Sequence, residues 1–368
     1  MKKICLITQI PSHYRKLIYI FLDHQFNCKF IFGHNNSTVK SLDTSLYRDV
    51  TEIPCMSIGN GRWYIMPGAI HSIRKSDVVI NDMGILCVSS WLLLIYSKIT
   101  HQRVYLWDHG WYGREGFVKK WVKRIYFGLA DGAFIYGNYA RNLMVKNGFD
   151  GNKLYVIHNS LDYASQILLR KSLAISKLYQ EHFGNNNPVL CFIGRLTPVK
   201  KLNLILEAVH HLKMKGENFN IIYIGDGEMM NSLRAEAEEL HLLNNVWFYG
   251  ACYDEKTNAE LLYNADICVA PGNIGLTAMH TMMFGCPCIS HNDFPWQMPE
   301  FEAIKEGVTG SFFKHNDVES LADTISHWFS LHANDREDVR KACYKEIDEN
   351  WTPEYQINVI KDVIYGKH

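Results

Sequence analysis

Val189-Leu190-Cys191-Phe192-Ile193-Gly194-Arg195-Leu196-Thr197-Pro198-Val199-Lys200-Lys201 is the stretch on which the reading of this chain turns. Five apolar, strand-prone residues run into a glycine, and Leu202, Leu204, Ile205, Leu206, Ala208 and Val209 follow in a helical pattern. A buried strand, a tight turn and an amphipathic helix in that order make half of a βαβ unit. Ligands of open α/β sheets bind at the carboxyl edge of the strands, where Gly194 falls. Arg195 and Lys200, five residues apart around a proline-stiffened turn, can converge there on one dianion. Taken alone, two solvated basic residues opening a helix would give the same pattern.

The same alternation extends in both directions. Strand-like runs fall at Ile4-Thr8, Cys28-Phe32, Asp77-Ile80, Val104-Trp107, Ala133-Tyr136 and Leu154-Ile157, and then at Asn220-Ile224, Val246-Tyr249, Ile267-Ala270 and Pro287-Ser290. Short β-branched runs separated by helix-length segments predict parallel strands buried on both faces. The expected architecture is therefore α/β, with two Rossmann-like doubly wound domains and a C-terminal helical tail. The polar, helix-prone segment from Tyr163 to Asn187 reads as the linker. The expected divisions are 1–165, 166–350 and a terminal helix over 351–368 that packs back on the first domain. Thr352 and Pro353 supply its N-cap and first turn.

Composition sets the outer limits. The 368 residues exceed one hydrophobic core, and 47% apolar with 21% charged residues excludes a disordered or collagen-like chain. Ten cysteines without a CxxC pair read as reduced core residues of a cytoplasmic protein; Cys286-Pro287-Cys288 reads as the start of a buried strand. The opening MKKICLITQIPSH holds too short an apolar run for a signal peptide, and Ile85 to Ile99 is too short and too polar to span a membrane. The net charge of zero hides a split: residues 1–165 hold 20 Lys/Arg against 11 Asp/Glu, a net of +9, and the remainder holds 18 against 27, a net of −9. The first half thus favours an anionic partner or surface.

Further glycine-closed turns follow the opening stretch. Asn220-Ile224 ends in Gly225-Asp226-Gly227, Asn245-Val246-Trp247-Phe248-Tyr249 ends in Gly250, and Ile267-Ala270 leads through Pro271-Gly272-Asn273-Ile274 to Gly275-Leu276-Thr277-Ala278-Met279-His280. This succession of GRL-x-x-x-K, GDG, NV-x-F-x-G and a Gly-Leu helix opening resembles glycosyltransferase family 4, the GT-B retaining sugar transferases also grouped as glycosyl transferases group 1. The resemblance continues weakly into the first half, at His109 and at His158-Asn159-Ser160-Leu161-Asp162.

The resemblance implies two domains with a cleft between them. Arg195 and Lys200 would hold the diphosphate of a sugar nucleotide, assisted by the backbone N–H groups and dipole of the helix opening at Gly275 and Leu276. Gly194, Gly225, Phe248, Tyr249, Gly250, Asn273, Thr277 and His280 complete the expected donor site, and His109, at the end of Val104-Trp107, would face the transferred sugar. Asp108 is its alternative, and a capping Asp-His pair before a helix remains open. No Asp-x-Asp pair occurs, so neither a metal nor another cofactor is expected. The chain departs from the family where two glutamates usually stand eight apart: those positions are Gly272 and His280. His280 would replace a ribose contact, or else serve as a core histidine.

The implied reaction is retaining transfer of a sugar from a nucleoside diphosphate to a glycan or lipid-linked acceptor, as in cell-surface polysaccharide synthesis. A sugar-nucleotide epimerase and a catalytically silent binding module are the alternatives, the latter motivated by the missing glutamates. No nucleic-acid partner is expected. On the acceptor side, the loop Gln9-Ile10-Pro11-Ser12-His13-Tyr14-Arg15 follows the first strand. From Arg114 to Leu129, Lys119, Lys120, Lys123 and Arg124 interleave with Phe117, Val118, Trp121, Val122, Ile125, Tyr126 and Phe127. That pattern fits an interfacial helix at the membrane's inner face equally with an ordinary helix whose apolar side is core.

Overall fold

In the computed structural model, which describes residues 2–12, 15–34 and 42–366, the chain divides into two units: Met1–Asp162 with Thr352–His368, and Tyr163–Trp351. The first is built from β1 (Ile4–Thr8), α1 (Lys16–Phe26), β2 (Lys29–His34), β3 (Val50–Pro54), β4 (Met56–Ile58), β5 (Trp63–Ile65), α2 (Ala69–Ile73), β6 (Val78–Asp82) and α3 (Val88–Thr100). It continues with β7 (Arg103–Asp108), α4 (Phe117–Leu129), β8 (Gly132–Ile135), α5 (Asn138–Lys146) and β9 (Leu154–Val156). Seven strands form one parallel sheet in the order β3-β2-β1-β6-β7-β8-β9, and β4 and β5 form a separate antiparallel hairpin.

The second unit holds α6 (Tyr163–Arg170), α7 (Leu178–Phe183), β10 (Val189–Ile193), α8 (Asn203–Met214), β11 (Asn220–Ile224), α9 (Met230–Glu239), β12 (Val246–Gly250), α10 (Glu255–Asn264) and β13 (Ile267–Ala270). It ends with α11 (Thr277–Met283), β14 (Cys288–His291), β15 (Gly310–Phe313), α12 (Val318–Leu331) and α13 (Arg336–Asn350). Its six parallel strands run β12-β11-β10-β13-β14-β15. The last helix, α14 (Pro353–Tyr365), belongs to the first unit.

The burial pattern explains why these segments fold as strands. Every residue of β1, β10, β11 and β13 is buried, as expected for central strands covered by helices on both faces. In the first unit, α2 to α5 cover one face of the sheet and α1 with α14 the other, with Leu93, Tyr126 and Phe127 in one layer and Leu22, Ile357 and Ile360 in the other. The α14 helix starts where Thr352 Oγ1 accepts the Tyr355 amide at 3.1 Å, and it is anchored by Gln356. Gln356 Nε2 donates to the His158 carbonyl at 2.8 Å, and Ser160 Oγ donates to Gln356 Oε1 at 2.6 Å. The His158-Asn159-Ser160 turn is therefore the seat of the terminal helix.

In each sheet the chain winds outward one way and then the other, and the order reverses between β1 and β6 and between β10 and β13. The strands flanking a reversal leave a crevice at their carboxyl ends, because the helices that follow them depart to opposite faces. Thr8 and Asp82 sit at the first reversal, Ile193 and Ala270 at the second.

Candidate functional site

The loop after β10 is shaped by backbone meeting backbone. Gly194 N–H donates to the Ile224 carbonyl and Leu196 N–H to the Asp226 carbonyl, each at 2.9 Å, so the turn after β10 lies against the turn after β11. Gly225 has a φ of 150°, and a Cβ there would fall 1.9 Å from the Gly194 oxygen. Only glycine permits that approach. The turn after β13 closes in from the other side: Gly272 N–H donates to the Lys200 carbonyl at 2.9 Å.

Three glycine-lined loops thereby fix the backbone that carries two cations. Lys200 is half-buried, and its Nζ donates to the Asn273 carbonyl at 2.6 Å and to Asn273 Oδ1 at 3.0 Å. Burial, with the Arg195 guanidinium nearby, pushes its ammonium down to about 8, against the opposing pull of Glu300. Arg195 is exposed and makes no ion pair with any described residue. Asn273 thus holds Lys200 in place through two neutral oxygens, and no described carboxylate is in contact with either cation. Gly275 has a φ of 56° and opens α11; the Ile274 amide is fixed by Gln297 Oε1 at 3.0 Å, and Thr277 Oγ1 donates to the Ile193 carbonyl at 3.0 Å. At seven residues α11 is short, so its dipole is a smaller asset than its amides.

His280 does not stand alone. Its Nε2 lies 2.9 Å from Glu255 Oε1, and Gln166 Nε2 donates to the same oxygen at 2.7 Å. Burial works to raise the Glu255 carboxyl, but the bond to His280 and that residue's charge outweigh it and hold the group below its ordinary value. A carboxylate on α10 thus stands beside position 280, where the family pattern would have placed one on α11. Gly250 accepts from the Gly225 amide at 2.8 Å, whereas the Phe248 ring is occupied by Tyr223 at 5.5 Å and the Arg234 guanidinium at 4.5 Å. Tyr249 lies beside Trp247 at 5.2 Å.

In the first unit a second polar cluster gathers at the β1/β6 reversal. Asp82 Oδ2 accepts from Thr8 Oγ1 at 2.9 Å and from Arg15 at 2.5 Å, and Arg15 also donates to the Tyr136 hydroxyl. Of the acceptor-side loop, His13 and Tyr14 lie outside the described residues. His109 packs 4.7 Å from the Tyr136 ring, and burial, followed by the charges of Arg15 and Lys123, lowers its imidazole to about 4. It is neutral at pH 7, and its Nδ1 is buried with no partner among the described residues, as is Trp107 Nε1. Burial raises Asp108, which accepts the Gly110 amide at 2.8 Å. Neutral imidazole, raised carboxyls and unpaired ring nitrogens suit a site that receives hydroxyl groups.

Residues 176–346 match the family model described as glycosyl transferases group 1. That stretch, a little under half of the chain, is similar to the group 1 glycosyl transferases. Among curated relatives, a putative glycosyltransferase, EpsF, of Bacillus subtilis (strain 168) is 21% identical over 219 residues, covering 56% of this chain and 54% of EpsF. The chain spans about half the length, or less, of the curated relatives it matches. Two solved structures cover nearly all of it: Anabaena HepE in complex with UDP, at a TM-score of 0.74 and 15% identity over 99% of this chain and 100% of that one. The other is the lipopolysaccharide outer core galactosyltransferase WaaB in its apo form, at 0.73 and 14% over 100% of both chains. The fold is GT-B. The matched stretch includes Arg195, Lys200, Asn273 and His280, and also Glu255, on a helix whose sequence carries no motif; Asp82 and Arg15 lie in the other unit.

Proposed function

We propose that the protein transfers a sugar from a nucleoside diphosphate to a glycan or lipid-linked acceptor, with retention at the anomeric carbon and without a metal. The observation that carries this reading is the Arg195 and Lys200 pair, on backbone fixed by three glycine turns within the matched stretch and contacted by no carboxylate among the described residues. Two fixed cations stabilise a departing diphosphate more as its charge develops, so they lower the barrier as well as binding the donor. No Asp-x-Asp pair is present to bridge the diphosphate through a metal. His109, neutral and half-buried, would receive a sugar or acceptor hydroxyl in the first unit. Polysaccharide assembly at the cytoplasmic membrane face, with the enzyme attached through residues 114–129, completes the reading.

A thermal-shift panel of UDP, GDP, ADP and CMP sugars tests it, because a ligand that binds only the folded protein raises its melting temperature. One diphosphate sugar is expected to stabilise strongly and to be turned over with an acceptor glycan. An epimer formed from donor alone would select the epimerase, and binding without turnover the silent module. Glu255 offers a narrower test. If it positions His280 on the ribose, Glu255→Gln should raise the donor KM about tenfold and change kcat little. An unchanged KM would return the pair to a packing role.

A further inference from the structure

An exposed apolar surface of the first unit spans two neighbouring helices, not one. On α4, Phe117 is 85% exposed and Trp121 60%, and only Lys123, Tyr126 and Phe127 are buried. This corrects the expectation of an ordinary helix whose apolar side is core. Its apolar residues are largely not core, and Lys123 leaves the basic face, since its Nζ donates to Glu115 at 2.9 Å and to the Gly110 carbonyl at 2.6 Å inside the protein. Beside it, α3 presents Leu92, Ile95 and Ile99 at spacings of three and four, one outward stripe, with Ile99 74% exposed.

The two helices lie side by side in one layer on the same sheet face. Ser90 and Tyr126 hydroxyls meet at 2.6 Å, and the Trp91 and Tyr126 rings pack at 5.0 Å. Their outward stripes therefore face the same side. Large apolar side chains left in water on adjacent helices mark a surface that something covers. The surrounding charge selects the occupant: exposed Lys119 and Arg124 and half-buried Lys120 flank the α4 stripe, in a unit whose residues 1–162 carry 20 basic against 11 acidic groups. Aromatic and aliphatic groups ringed by cations match the interface of an anionic bilayer. No described helix is long and apolar enough to cross a membrane, so the contact is made from one side.

We propose that α3 and α4 together form a platform that docks the first unit on an anionic lipid surface. The platform rests on the reading above for its purpose, delivery to a lipid-linked acceptor, but its lipid binding is measurable without turnover. Cosedimentation of the full chain with phosphatidylcholine vesicles, with and without phosphatidylglycerol, reads it out. Binding is expected only with the anionic lipid and is expected to weaken as salt rises. Lys119→Gln, Lys120→Gln and Arg124→Gln together should weaken it on the order of a hundredfold. Leu92→Ser, Ile95→Ser and Ile99→Ser on α3, or Phe117→Ser and Trp121→Ser on α4, should each weaken it about tenfold or more. Retained stabilisation by the nucleotide shows that each variant is folded.

Unchanged binding in the α3 variant would overturn the two-helix platform in favour of α4 alone. Failure of wild type to bind anionic vesicles would overturn it altogether. So would self-association abolished by the same substitutions, which would make a second copy the occupant. A wild type that binds vesicles yet turns over no sugar would leave the platform standing and remove the reaction instead.

Discussion

Lys200→Met is expected to lower donor turnover by on the order of a hundred- to a thousandfold while the protein stays folded. The methionine keeps the buried stem and removes the charge, so the loss reports the ammonium and not a cavity. Asn273 loses two hydrogen bonds, which cost about 1 kcal/mol each, and the half-buried charge no longer opposes folding. Arg195→Ala should cost less, about tenfold, because the exposed guanidinium acts through solvent. Wild type should also show a pH signature. Burial puts the folded Lys200 at about 8, beneath the 10.5 of an unperturbed lysine. Between those values the unfolded chain holds the extra proton, so stability rises with pH across that window. Donor capture runs the other way: as pH climbs through about 8 the ammonium is lost and kcat/KM falls. In Lys200→Met that alkaline limb should disappear. A variant turning over within threefold of wild type would remove the assigned role.

The parts of the molecule legible in the sequence share a physical cause. Central strands of a parallel sheet are buried on both faces, so β1, β10, β11 and β13 read as unbroken apolar runs and fall at the residues expected. The edges do not. β3 buries only Ile53 of its five residues, the β4–β5 hairpin is largely exposed, and β15 begins on a glycine, so none carried a strand signal. The turns after β10, β11 and β13 were legible because close backbone approach demands glycine. What joins them was not: Glu255 meets His280 across 25 positions and Gln166 meets Glu255 across 89, while Asp82 meets Arg15 across 67. No periodicity encodes such pairs. Lys123 shows the converse, for its spacing puts it among surface bases, but the Glu115 partner that draws it inward is visible only once the loop before α4 is folded.

Gly272→Ala should damage both stability and turnover, and the second more than the first. A Cβ at this position would fall 2.0 Å from the Val199 oxygen and 2.7 Å from the Lys200 Cα, distances at which backbone has to move. The turn displaced is the one that carries Lys200, and the Gly272 amide bond to the Lys200 carbonyl is strained with it. Overpacking of this kind costs about 1–3 kcal/mol, read as a lowered melting temperature. At a temperature where the variant remains folded, turnover should still fall by more than tenfold, because a catalytic cation shifted by about 1 Å loses its alignment with the phosphates. Gly272→Glu, which restores the carboxylate of the family pattern, should be worse, since the whole side chain must leave through the same gap. The departure from the pattern at 272 is then structural: that turn lies too close to the 199–200 turn to admit a side chain, while Glu255 supplies a carboxylate only at the other position, beside His280. A Gly272→Ala protein that melts with wild type and keeps its turnover would show that the two turns are free to part, and the rigid seat argued for Lys200 would go with them.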